Sequence, residues 1–171
     1  MDERAGKTLI VGLGSPILRD DAIGLRVAQA LADLLPADRF PVEEAGTSGL
    51  RLLLLLEGWE RAVIIDAMRQ PLDPHADLCL GRLNRLSPAQ LHSTLTLNTS
   101  HEASLADTLE LGRRMGMALP QEIAIFGIEV EDPFSFGEEM TPGLAQCVPA
   151  IAREIAHRCL PVGTVHCNSR A

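Results

Sequence analysis

The segment from Leu9 to Val27 restricts the fold of this chain more than any other. Leu9-Ile10-Val11 has the composition of a buried strand. It breaks at Gly12 and Gly14, turns through Ser15-Pro16, and reaches Asp20-Asp21 just as a helical pattern begins. That order makes a strand, a tight loop and a helix, with two carboxylates at the helix start. A phosphate would need that place free of negative charge, because the helix N-terminus attracts anions through its unpaired N–H groups. The third position of a dinucleotide-type glycine loop is Ile17, not glycine. A cation is the better ligand.

The remaining pattern alternates. Lys7 to Gly12 reads as a first strand, and Asp21 to Leu35 as a helix with Ile23, Val27, Ala30, Leu31 and Leu34 on one face. Asp20 stands where an N-cap would accept hydrogen bonds from that helix's first N–H groups. Phe40 to Ala45 is a short strand, Gly46-Thr47-Ser48-Gly49 a turn, and Leu50 to Glu57 an apolar helix ended by Gly58. Arg61 to Ala67 has the continuous apolar centre of a parallel strand covered on both faces. Ala76 to Leu83 reads as an edge strand, Leu86 to Ser100 mostly as loop. His101 to Met117 reads as a helix with Leu105, Leu109 and Met115 inward and Ser100 as its cap. Glu122 to Gly127 is the last strand, and Thr141-Pro142 opens a helix running to about Cys159, with a loosely held tail from about residue 161. The expected fold is α/β: a single three-layer domain over residues 1–171, with about five mostly parallel, twisted strands and helices on both faces.

Charge and cysteine usage narrow the function. Against 15 Lys+Arg stand 23 Asp+Glu, a net charge of −8 that disfavours nucleic acid and anionic membrane. The longest apolar run, Leu52 to Leu56, is too short to insert into a bilayer. Cys79, Cys147, Cys159 and Cys167 make no C-x-x-C pair, and with no export signal read at the N-terminus the expected compartment is the cytoplasm. No G-x-S-x-G elbow supports a serine hydrolase. His75 and His92 lie in polar loops, and the spacing of His157, Cys159, His166 and Cys167 fits no zinc pattern.

In a sheet of this type, ligands gather at the carboxyl ends of strands near the point where strand order reverses. Asp20-Asp21 follow the first strand, Asp66 closes the third, and His101 opens a helix after the long polar loop. Two carboxylates and an imidazole there would suit a divalent transition metal, nickel and zinc alike. Each residue alone has a plainer explanation: Asp20 as a cap, Asp21 in the favourable field of the helix start, His101 as a hydrogen-bonded helix-start histidine. Asp66 is harder to explain so, since a carboxylate ending an apolar strand is costly without a partner.

The same residues, in the same order, carry a likeness. Gly12-Leu13-Gly14-Ser15 through Asp20-Asp21 to Gly24, then Gly46-Thr47-Ser48-Gly49, Ile64-Ile65-Asp66-Ala67, Ser100-His101-Glu102-Ala103, Phe126-Gly127-Ile128-Glu129 and Met140-Thr141-Pro142 follow one family's motifs. The chain resembles the hydrogenase maturation endopeptidases, which trim the precursor of the large subunit of nickel–iron hydrogenases. Ser15 stands for the family's usual asparagine and Val130 for a common proline. The resemblance implies that Asp21, Asp66 and His101 are the metal-engaging and catalytic set, with Asp20 left as a cap. It implies nickel delivered with the substrate, zinc or cadmium being able to replace it in the isolated protein. The nickel would act as a recognition element and could polarise the scissile carbonyl. The implied partner is the nickel-loaded large-subunit precursor, acted on by a cytoplasmic monomer. A non-catalytic assembly partner of that subunit would use the same three residues.

Overall fold

In the computed structural model, the described residues are 4, 6–46, 49–69, 71, 75–87 and 105–159. Their elements are β1 (Thr8–Leu13), a 3-10 turn (Asp20–Ala22), α1 (Ile23–Leu34), β2 (Val42–Ala45), α2 (Leu50–Leu56) and β3 (Arg61–Met68). There follow β4 (Leu83–Leu86), α3 (Leu105–Arg114), β5 (Glu122–Glu129) and α4 (Pro142–Cys159). The strands form one sheet in the order β2-β1-β3-β5-β4, in which only β4 is antiparallel to its neighbour.

Alternate residues of the central strands feed two cores, as a two-fold strand period requires. Leu9, Val11, Leu13, Ala62 and Ile64 face α2 and α3 through Leu52, Leu56, Leu105 and Leu109. Ile10, Val63, Ile65 and Phe126 face α1 and α4 through Ile23, Val27, Leu31, Leu144 and Ile151. The three-layer α/β expectation is therefore met. From β1 the chain crosses to the β2 edge, and from β2 it returns past β1 to β3. The two crossovers run in opposite senses and so lie on opposite faces. The crevice at the carboxyl ends of β1 and β3 is the switch point of this sheet.

Four expectations need correction. The edge strand is Leu83–Leu86, not Ala76 to Leu83. The earlier residues turn instead, with Gly81 at φ +80° and the Arg82 N–H donating to the Cys79 carbonyl. Asp66 does not close β3, which continues to Met68. Leu34 and Met115 are exposed rather than inward: Leu34 is the last residue of α1, and Met115 follows the end of α3. Asp20 does not cap α1, whose N-terminus has no side-chain cap. Ser100, His101, most of the polar loop and the tail from 160 lie outside the described residues, as does the side chain of Cys159.

Candidate active site

Glycines set the approach of α1 to the sheet. A Cβ on Gly24 would lie 2.2 Å from the Leu13 carbonyl oxygen and 2.6 Å from that of Ile65. One on Gly12 would lie 2.5 Å from the Gly24 carbonyl oxygen. Helix and strands thus touch backbone to backbone, and the start of α1 straddles β1 and β3. Gly14 is bound twice over: its φ of +134° suits only glycine, and a Cβ would sit 2.0 Å from the Asp21 carbonyl oxygen. The glycine loop brings the 3-10 turn down onto the strand ends.

That turn delivers Asp21 to the crevice. The Ser15 N–H donates to Asp21 Oδ2 at 2.6 Å, so the residue that departs from the family's asparagine still bonds through its backbone. Asp66 comes up from β3. Pairing between β1 and β3 ends at Gly12 opposite Ile65, and Asp66 is the next residue, at the level where β1 has turned away. Its side chain is 2% exposed. Oδ1 accepts the Ala67 N–H at 2.8 Å, while Oδ2 is buried with no hydrogen-bond partner among the described residues.

Electrostatics follow from that placement. Burial raises the carboxyl of Asp66 well above its ordinary value, and the charge of Asp21 raises it further, against the opposing Ala67 hydrogen bond. Asp21 is also raised by burial, partly offset by the Ser15 N–H. Two carboxyls that repel each other's ionised forms, one with an unserved buried oxygen, need a proton or a cation between them. Oxygen donors of this type suit a divalent ion. Among the described residues no group of three His, Cys, Asp or Glu side chains forms a metal cluster; Asp21 and Asp66 are among those residues and His101 lies outside them.

Asp20 does something that its position in sequence conceals. Fully buried, its carboxylate accepts the Asp132 N–H at 2.9 Å, the Thr141 N–H at 2.7 Å and the Thr141 hydroxyl at 2.9 Å. It ties the turn carrying Asp21 to both ends of the 131–139 loop. A third buried carboxylate, Glu129, is one to which the sequence pattern assigns no role. It ends β5, accepts the Cys79 N–H at 2.7 Å and the Asn84 amide at 3.0 Å, and lies 3.7 Å from Arg82. An acid ending an apolar strand is the signal that singled out Asp66, and it could have found Glu129 too. His75 and His157 are exposed.

A doubly wound sheet with two mutually repelling carboxyls at its switch point defines an α/β protein whose crevice favours positive charge. A family model described as hydrogenase maturation protease matches residues 25–158, a span that contains Asp66 and His101 and begins just after Asp21. The hydrogenase 2 maturation protease of Escherichia coli strain K12 is 26% identical over 169 residues, covering 94% of this chain and 99% of that protein. Among solved structures, the hydrogenase maturating endopeptidase HybD from E. coli superposes with a TM-score of 0.70 at 24% identity, over 89% of this chain and 91% of that one. The nickel–iron hydrogenase maturation protease HybD from Thermococcus kodakarensis does so with a TM-score of 0.57 at 26% identity, over 89% and 97%. The chain belongs to the hydrogenase maturation protease family, and so to the hydrolases. Among the described residues, no helix is long and apolar enough to cross a membrane.

Proposed function

We propose that this chain is an endopeptidase that removes a C-terminal peptide from the nickel-loaded precursor of a hydrogenase large subunit, and that Asp21, Asp66 and His101 engage the nickel that the precursor carries. The observation that bears this reading is the buried Oδ2 of Asp66, without a hydrogen-bond partner among the described residues, within the field of Asp21. A divalent ion arriving with the substrate would compete with protons for this pair, whose carboxyls burial raises above their ordinary values. The nickel is part of the substrate here, and the chain's own work is to bind and orient.

The course of α3 supports the third arm. The Ala118 carbonyl, just beyond α3, accepts the Gly58 N–H at the amino end of β3. The start of α3 therefore lies towards the carboxyl ends of the strands, and His101 precedes Leu105 by four residues in sequence. The reaction itself adds water across one peptide bond, releasing a carboxylate and an amine. Asp21, pinned by Ser15, and Asp66, pinned by Ala67, would hold the scissile segment through its metal in one orientation.

Incubation with nickel-loaded and nickel-free precursor, followed by mass spectrometry, tests the reading. The expected result is a C-terminal fragment from the loaded precursor alone, lost in Asp66→Asn and His101→Ala. Binding without a fragment would replace the protease reading with that of a non-catalytic assembly partner.

A further inference from the structure

Phe136 is 81% exposed, the most exposed large apolar side chain among the described residues, and Ile17 beside it is 57% exposed. Neither is loosely held. Phe136 pairs with Leu18 in an antiparallel bridge, flanked by the Arg19 N–H donating to the Ser135 carbonyl and the Gly137 N–H donating to the Ile17 carbonyl. Buried Asp20 clamps the loop at Asp132 and again at Thr141. Arg69 lies over the ring of Phe134, 5.0 Å from its centre, and Arg19 pairs with Asp132 at 3.4 Å. The loop spends its nearby cations on itself.

What remains outward is an aromatic ring on a loop that also carries Glu131, Glu138 and Glu139, all exposed and none in an ion pair among the described residues. A solvent-facing phenylalanine has no folding reason to be held by two backbone bonds and a buried carboxylate. A pre-organised aromatic does suit binding, since little side-chain and loop freedom is left to lose on association. Its place fixes what it can meet. Leu18, its bridge partner, is three residues from Asp21, a separation of at most about 11 Å of extended chain. A macromolecule whose scissile segment sits at Asp21 comes within reach of this loop.

We infer that the 131–139 loop, with Ile17, is the docking surface for the precursor subunit itself, receiving a face where an apolar pocket takes Phe136 and surrounding Lys or Arg side chains meet Glu131, Glu138 and Glu139. This rests on the reading that the precursor is the substrate. The apolar contact sets how long the complex lasts, and the acids set how fast it forms, so the second part weakens with salt.

The test compares the full-length chain with Phe136→Ser and with the pair Glu138→Lys and Glu139→Lys. Both the dissociation constant for nickel-loaded precursor and the steady-state processing of it are measured. Phe136→Ser should raise Kd and KM about tenfold or more and leave kcat within about twofold, since a docking side chain contributes to binding and not to the chemical step. The charge reversal should raise both about tenfold at low ionic strength, a difference that shrinks as salt is added. Unchanged Kd in both variants overturns the docking surface even if wild-type processing is normal. A wild-type chain that binds the precursor but never cuts it refutes the protease reading, and Kd alone then decides the docking surface. A wild-type chain that does not bind overturns both.

Discussion

Replacing Asp20 by alanine removes one acceptor group and three hydrogen bonds. If Asp20 were a helix cap, the loss would be about 1 kcal/mol. The structure sets a larger figure. Its carboxylate serves two backbone N–H groups and a hydroxyl at 2.7–2.9 Å, and none of the three belongs to α1. Hydrogen bonds to a charged group contribute about 1.5–3 kcal/mol each. Asp132 and Thr141 are half-buried, so water would serve their donors in part after truncation, and the low end applies. The expected loss is about 4 kcal/mol, a large share of a total stability of roughly 5–15 kcal/mol. Equilibrium unfolding in urea at neutral pH measures it, with an unchanged denaturant slope showing that the same surface unfolds. Asp20→Asn keeps one acceptor oxygen and should lose about half as much. Thr141→Val, which deletes only the hydroxyl, should lose about 1 kcal/mol. A loss near 1 kcal/mol for Asp20→Ala would refute the clamp and restore the cap.

Three further outcomes follow from the crevice. Gly14→Ala places a methyl group 2.0 Å from the Asp21 carbonyl at a φ of +134°, so it should abolish precursor processing and cost at least about 2 kcal/mol in urea unfolding. Asp66 has its folded-state carboxyl raised, so the native state holds a proton that the unfolded chain gives up. Stability from this group is complete below the ordinary carboxylate value and falls as pH rises through the raised one. Asp66→Asn should therefore gain on the wild type steadily with rising pH, and parallel unfolding profiles would contradict the shift. Binding of zinc or cadmium to the isolated chain should release protons, read by calorimetry in buffers of different ionisation enthalpy, and should tighten as pH rises through the titration of this pair. Metal affinity equal at low and neutral pH would remove the carboxyls from the binding set.

Much of this fold was legible because its central strands and last helix obey local rules. Arg61 onward is a run of β-branched and small residues that can be little else, and Thr141-Pro142 announces α4 at the residue where it starts. The edge was less legible. Leu78 and Leu80 look like alternating strand residues, yet Gly81 and the buried carboxylate of Glu129 hold that stretch as a turn, and Glu129 lies fifty residues away in sequence from Cys79. Asp20 failed as a cap for the same reason. Its partners stand 112 and 121 residues further on, and a residue's local position carries no trace of them. Asp66 could be found because the cost of an unpaired carboxylate in an apolar strand is itself local. His101 rested on motif order and stands outside the described residues.

The closest contacts of α1 and the turn before it with the sheet, at Gly12, Gly14 and Gly24, are made to main-chain atoms. Side chains can exchange rotamers or be traded for others of similar volume, and a core built of them drifts over evolutionary time. Main chain cannot be traded. The cores on either face of the sheet are therefore free to diversify among distant relatives while the spacing between Asp21 and Asp66 stays constant. A laboratory search for stabilised variants should find its gains in the cores and none at these three glycines.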